Sequence, residues 1–289
     1  MKFRTENKAF CTKETINIRG RLLSLSNPKI MGVLNITPDS FYNGSRFDSE
    51  ERILKQAEKM IRDGATFIDV GGYSSRPGAD EVPITEEIRR TSMAVQSIVK
   101  NFPEAIISID TFRAEVARIA VQEGASMIND ISGGTLDNGM FDMVANLEVP
   151  YVLMHMRGTP KTMSTLSDYD NLLKEVTDFF HSKINHLQNL RVKDIIIDPG
   201  LGFAKNIAQN FKLLHSLEYL KILNRPLLVG ISRKSMIWKT LSTTPDEALN
   251  GTTCLNTVAL LRGANILRVH DVREASEVCK LISSIEASH

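Results

Sequence analysis

Eight short apolar runs recur along the 289 residues, most of them closing on a polar residue or glycine and followed by a helix-length segment. They are Ile30–Asn35, Phe67–Gly72, Ile106–Asp110, Met127–Asp130, Tyr151–His155, Ile195–Gly200, Leu227–Ser232 and Ile266–Asp271. Several are nearly continuous in Val, Ile and Leu, as parallel strands covered on both faces require. Between them, Ser49–Asp63 places Ile53, Leu54, Ala57, Met60 and Ile61 on one stripe, and Gly64 follows as a helix stop. Tyr169–Asn189 and Ile207–Leu220 behave similarly. Eight rounds of strand and helix joined by right-handed crossovers predict an α/β fold of the (β/α)8 TIM-barrel type. An open doubly wound sheet is the alternative, but no GxGxxG turn follows the first strand. Upstream, Thr15–Ser26 carries INIRGRLLSL, which reads as a β-hairpin around Arg19–Gly20 lying across the bottom of the barrel. No linker or low-complexity stretch interrupts the pattern. Residues 1–289 are therefore expected to be one domain, with 1–28 an N-terminal extension that carries the hairpin.

Charge narrows the partners. Lys and Arg number 35 against 34 Asp and Glu, with no like-charge block, so neither nucleic acid nor a membrane surface is an expected partner. An anionic substrate must then be attracted by local groups. Cys11, Cys254 and Cys279 are scattered and form no CxxC pair, which speaks against both a disulfide framework and a thiolate zinc site. The opening MKFRTENKAF lacks the apolar core of a signal peptide, and no apolar run approaches the ~20 residues that span a bilayer. The expectation is a protein of the reducing cytoplasm.

In a barrel of this type the site lies where the strands end. Here those ends are Asn35, the Gly71–Gly78 stretch, Asp110, Asn129–Asp130, His155, Asp198–Gly200, Ser232–Ser235 and Arg268–Asp271. Strand-end capping accounts for the Asp and Asn residues one at a time, because both make good helix N-caps. It does poorly for Lys234, Arg268 and His270, since cations are disfavoured at helix N-termini. Together these residues would line one mouth with carboxylates, amides and cations, a lining that suits a polar heterocycle carrying phosphate.

MGVLNITPDSF (Met31–Phe41), DVGGYSSRPGA (Asp69–Ala79), SIDT, IND, LMHMRGTPKTM, IIDPGLGFAKN, SRKSMI and LRGANILRVHDV resemble, in order, the motifs of the dihydropteroate synthases, a pterin-binding barrel family. The match runs from about residue 30 to the end, one motif per strand. The resemblance implies a transferase of folate biosynthesis that joins p-aminobenzoate to a dihydropterin diphosphate, as a homodimer. By the same resemblance, Asp198 accepts two adjacent donors of the pterin edge, Asp110 and Asn129 bond other ring heteroatoms, and Lys234 donates to the acceptor side. Asn35, Ser75, Arg76, Arg268 and His270 match the diphosphate-binding positions, and Asn35 is also the implied Mg2+ ligand. Pro77, Phe203, Lys234 and Ser235 match the p-aminobenzoate pocket, where sulfonamides bind as mimics. The implied catalytic set is Asp110, Lys234, Arg268 and His270, with no general base assigned.

Loops 37–47 and 73–83 are long for βα connections and are expected to complete the second substrate site. The second motif departs from the usual wording, with Tyr73 where glutamate is common and Ser75 where threonine is. Serine keeps the hydroxyl; tyrosine removes a carboxylate. Two rivals remain at this point: a methyltetrahydrofolate-dependent corrinoid methyltransferase, which shares the barrel and pterin pocket, and a pterin-binding module without catalysis. The SRKS, TPDSF and SSRPG segments favour the synthase.

Overall fold

In the computed structural model, which describes residues 13–36, 46–73 and 81–288, an antiparallel hairpin precedes the barrel. Its strands β1 (Thr15–Ile18) and β2 (Arg21–Ser24) turn through Arg19 and Gly20, both at positive φ. The eight apolar runs become β3 (Lys29–Asn35), β4 (Phe67–Gly71), β5 (Ile106–Asp110), β6 (Met127–Asp130), β7 (Tyr151–Met154), β8 (Ile195–Asp198), β9 (Leu228–Val229) and β10 (Ile266–Val269). They form one parallel sheet in the order β8-β7-β6-β5-β4-β3-β10-β9. A parallel bridge from Ile197 to Leu227, with the Ile197 N–H donating to the Pro226 carbonyl at 2.9 Å, joins β8 to the β9 end and closes the barrel.

The helices lie outside, as the apolar stripes require: α1 (Arg46–Asp63), α2 (Ile84–Asn101), α3 (Ala114–Gln122), α4 (Met140–Leu147), α5 (Leu172–Asn189), α6 (Ile207–His215), α7 (Ser235–Trp238), α8 (Leu249–Leu261) and α9 (Val272–Ala287). Gly64, at φ +106°, ends α1 where the sequence places the stop. Ile61, expected on the buried stripe, is exposed. The expected helix Ile207–Leu220 breaks at Ser216 and continues as a 3-10 turn over Leu217–Leu223. The helix expected from Tyr169 starts only at Leu172, because Asn171 caps it by accepting from the Lys174 N–H at 3.2 Å. Strand β9 is shorter than the run Leu227–Ser232, since the chain leaves the sheet at Gly230 to build the turn that carries Lys234. Among the described residues, no helix is long and apolar enough to cross a membrane.

Strand side chains alternate with a period of two. One set, including Ile68, Val70, Ile107, Ile109, Ile197 and Leu267, packs outward against the helices. The other begins at the bottom of the barrel with Met31, Phe67, Met127, Val152, Ile196, Leu228 and Ile266, on which Ile16, Ile18 and Leu25 of the hairpin segment are packed. The hairpin thus floors the barrel as expected. Arg19 secures it, donating to Ser126 Oγ at 2.6 Å and to the Gly124 carbonyl at 2.7 Å. Two and four residues further along, the same inward set turns polar. That switch, from an apolar floor to polar strand ends, makes the site.

Candidate active site

Arg268 of β10 lies at the centre of the polar layer. Its Nε donates to Asp69 Oδ2 and its Nη2 to Asp110 Oδ2, each at 2.6 Å. Asn129 of β6 donates from Nδ2 to the same Asp69 oxygen at 2.9 Å. Burial pushes Asp110 up to about 7; Arg268 opposes the shift, and the carboxylates of Asp69, Glu87 and Asp130 add to it. Burial works against the charge on Arg268, but Asp69 and Asp110 more than offset it and hold the guanidinium protonated.

Asp198, at the end of β8, is buried and accepts the Gly200 N–H at 2.8 Å. Burial raises its pKa against the pull of Lys234. Lys234 is half-buried, donates to the Leu201 carbonyl, and sits 4.6 Å from the centre of the Phe203 ring. Burial lowers it to about 8, with Asp198 opposing and Arg268 adding to the drop. The local backbone is shaped for this lysine. Arg233 before it adopts φ 55°, a left-handed conformation that costs energy in a non-glycine residue. It is held there by a two-pronged pair with Asp271 (2.9 and 2.8 Å) and by the Asp246 carbonyl at 2.9 Å. Gly202 lies beneath the lysine stem, where a Cβ would come 2.9 Å from Lys234 Cδ.

The remaining strand ends divide into mouth and wall. Asn35 is half-buried at the end of β3 beside Gly71, where a Cβ would lie 3.4 Å from Asn35 Oδ1 and 3.5 Å from Asp110 Cβ. His270 is exposed on the rim, its Nδ1 3.0 Å from Ser232 Oγ. Ser235 is exposed at the start of α7, and Phe203 packs with Met154, Met156 and Ala204 at the mouth. Asp130 is a strand-end cap: it accepts from the Ser132 and Gly134 N–H groups and from the Tyr151 hydroxyl. His155, read from the sequence as a lining residue, is instead part of the wall. It is buried against Phe179, and Lys205 lies 3.0 Å from its Nδ1. Burial, reinforced by the charges of Lys205 and Arg157, drives it down to about 2, so it is neutral and accepts from the lysine. Lys205 also donates to the Gly200 and Phe203 carbonyls at 3.0 and 2.9 Å.

Five of the residues picked out in the sequence, Asp110, Asn129, Asp198, Lys234 and Arg268, therefore come together on the inner face, with Asn35 alongside and His270 at the rim. Ser75, Arg76 and Pro77 lie outside the described residues, as do most of the two long loops. Tyr73 is described, and its ring meets Phe112 edge-on at 5.3 Å with the Arg113 guanidinium 5.6 Å from its centre. Arg113 also pairs with Glu87 and donates to the Val82 carbonyl at 2.8 Å, so one side chain holds both ends of the loop. Asp69 and Lys205 went unassigned in the sequence. A lone carboxylate within the apolar FIDVG strand was a usable signal for the first, whereas nothing set Lys205 apart from a solvated lysine.

A carboxylate and an ammonium in one pocket suit a flat ring with a donor edge and an acceptor edge, and the adjoining arginine suits an anion. Comparison with known proteins identifies the family. The family profile described as "Pterin binding enzyme" matches residues 31–270. A dihydropteroate synthase of Synechocystis sp. is 45% identical over 259 residues, 89% of each chain. A Yersinia pestis dihydropteroate synthase solved with a sulfonamide drug complex superposes at TM-score 0.88 with 37% identity, covering 94% of this chain and 99% of that one. A Xanthomonas albilineans dihydropteroate synthase in complex with 7,8-dihydropteroate superposes at 0.85 with 34% identity, covering 94% and 99%.

Proposed function

The chain belongs to the pterin-binding enzyme family, as a dihydropteroate synthase, and from that premise we propose how its residues share the reaction. The enzyme transfers the pterin-methyl group to p-aminobenzoate with loss of diphosphate. The observation that carries our assignment is the convergence of Asp198 and Lys234 beside the Arg268–Asp110–Asn129 cluster at one end of the barrel.

Asp198 accepts the two adjacent N–H donors of the pterin's 2-amino-4-oxo edge, and Asn129 and Asp110 bond other ring heteroatoms. Lys234 donates to the acceptor side. Its stem and the Phe203 ring, with Ser235 and Pro77, wall the p-aminobenzoate pocket, where sulfonamides compete as mimics. Arg268, His270, Asn35, Ser75 and Arg76 bind the diphosphate. The C–O bond to the exocyclic CH2 breaks first, and its electron pair leaves with the diphosphate. The resulting cation is delocalised into the dihydropterin, and Asp110 stabilises the positive charge. The arylamine nitrogen then bonds to the carbon and loses its proton to solvent. Positional isotope exchange within the diphosphate, without p-aminobenzoate, tests this order; no scrambling with bridging oxygens free to rotate counts against it.

Among the described residues, no group of three His, Cys, Asp or Glu could hold a metal. What the chain offers is one amide oxygen, Asn35 Oδ1, beside Gly71, where a Cβ would come within 3.4 Å of it. That fits Mg2+, which keeps waters and shares phosphate oxygens more readily than it enters an all-protein cage. When bound there, Mg2+ would neutralise charge on the leaving diphosphate.

The deciding assay is p-aminobenzoate-dependent diphosphate release from the dihydropterin diphosphate; no turnover with Mg2+ present would overturn this reading. Asp198→Asn is expected to weaken pterin binding by about 2–4 kcal/mol, because a charge-assisted pair is lost. Unchanged affinity by calorimetry would mean that the ring docks elsewhere. Lys234 donates as an ammonium below about 8. Pterin affinity should therefore hold below that pH and fall as pH rises through it; an affinity that climbs instead would remove Lys234 from the ring site.

The cytoplasm, a single pterin-binding domain and a homodimer complete the proposal. On α8 and α9, Leu260 and Val278 are core, whereas Leu281 is 66% exposed and open to a partner. A monomer by light scattering would exclude the dimer.

A further inference from the structure

We infer that Asp69 is a positioning residue that fixes Arg268 and Asn129 through one carboxylate oxygen, and so couples ring recognition to leaving-group stabilisation. The inference rests on the roles proposed above for those two partners. Asp69 stands on the inner face of β4 and is fully buried. Its Oδ2 takes Nε of Arg268 at 2.6 Å and Nδ2 of Asn129 at 2.9 Å. In the sheet, β3 separates β4 from β10 and β5 separates β4 from β6, so this oxygen ties together three alternate strands, β6, β4 and β10, across the barrel interior.

The geometry at the arginine explains what the carboxylate adds. Asp110 holds only Nη2, about which the fork is free to swing. Asp69 holds Nε, and two contacts at different nitrogens define the guanidinium plane. The other terminal nitrogen makes no hydrogen bond among the described residues, which leaves it for an anion. Asn129 donates to the same oxygen, so the orientation of its amide also depends on Asp69.

Asp69 is also a poor choice for stability alone. Its second oxygen, Oδ1, is buried and has no hydrogen-bond partner among the described residues. A buried, half-satisfied carboxylate is destabilising compared with an apolar side chain of similar size. Rules of local consistency tend to be broken at sites kept for function.

The test compares wild type, Asp69→Asn, Arg268→Gln and the double variant in steady-state turnover, with pyrophosphate affinity measured by calorimetry. Asp69→Asn is expected to fold, to lower kcat roughly 30-fold or more, and to leave KM for p-aminobenzoate within about twofold. In the Arg268→Gln background the same change should cost less than about threefold, because its target is gone. Additive losses would overturn the proposal, since a residue needed only by the fold damages both backgrounds alike. Asp69→Asn alone should weaken pyrophosphate binding by about tenfold; a Kd within twofold of wild type also overturns the proposal, even if Arg268→Gln fails to fold. Failure of Asp69→Asn itself to fold would assign the carboxylate to the barrel, against the proposal. A wild-type enzyme without turnover would instead refute the assigned reaction, so the two failures are distinguishable.

Discussion

Lys234→Ala is expected to lower kcat/KM by about 3–5 kcal/mol, on the order of 10^2–10^3.5-fold, and to weaken both substrates together. The lysine is an opposite charge beside buried Asp198 and also lies 4.6 Å from the centre of the Phe203 ring. Its removal leaves a buried carboxylate short of a counter-charge, which adds to the lost hydrogen bond to the ring. Lys234→Arg should not restore activity. The stem runs tight along Gly202, where a Cβ would come 2.9 Å from Cδ, and a planar fork needs more room than an ammonium. Binding calorimetry with pterin alone and with p-aminobenzoate added, alongside kinetics, checks the claim. If only p-aminobenzoate is affected, Lys234 does not belong to the pterin edge.

Gly200→Ala is expected to be the most damaging substitution for stability, at about 4 kcal/mol or more. Two causes combine. The residue sits at φ +67°, which an alanine adopts only with strain. A Cβ there would also lie 2.0 Å from the His155 carbonyl oxygen, part of backbone that leaves β7 and cannot retreat without moving the strand. The Gly200 N–H fixes Asp198, and the Gly200 carbonyl receives Lys205, so the strain would reach both side chains as well. Thermal unfolding should show a loss of roughly 10 °C for a chain of this size. A Tm within a few degrees of wild type would show that the loop yields.

The barrel was legible because its signal repeats. Each apolar run reports the same environment, and eight of them leave little choice of architecture. The floor was legible too, from a short hairpin motif preceding the first strand. Local exceptions were less so. No glycine or proline marks the helix break at Ser216, and the early exit of β9 at Gly230 falls inside the apolar run Leu227–Ser232. In the site, Asp198 and Lys234 could be singled out, but not that each shifts the other's proton affinity. His155 was misplaced because a histidine at a strand end looks available. Its neutrality depends on Phe179 and Lys205, which are distant in sequence. The long loops carry Ser75, Arg76 and Pro77, whose roles still stand on resemblance to the family.

The seam that closes the sheet has a consequence for how substrate and scaffold depend on each other. Between β8 and β9 the backbone is joined by a single bridge, Ile197 to Leu227, where other neighbouring strands share longer ladders. Asp198 follows that bridge on one side, and Lys234 belongs to the chain leaving β9 on the other. A pterin held by both would lie across the thinnest stitch in the barrel wall and act as its clasp. Occupancy of the site and integrity of the ring of strands then become one variable, and a loosened seam costs affinity without any change in the groups that touch the ligand.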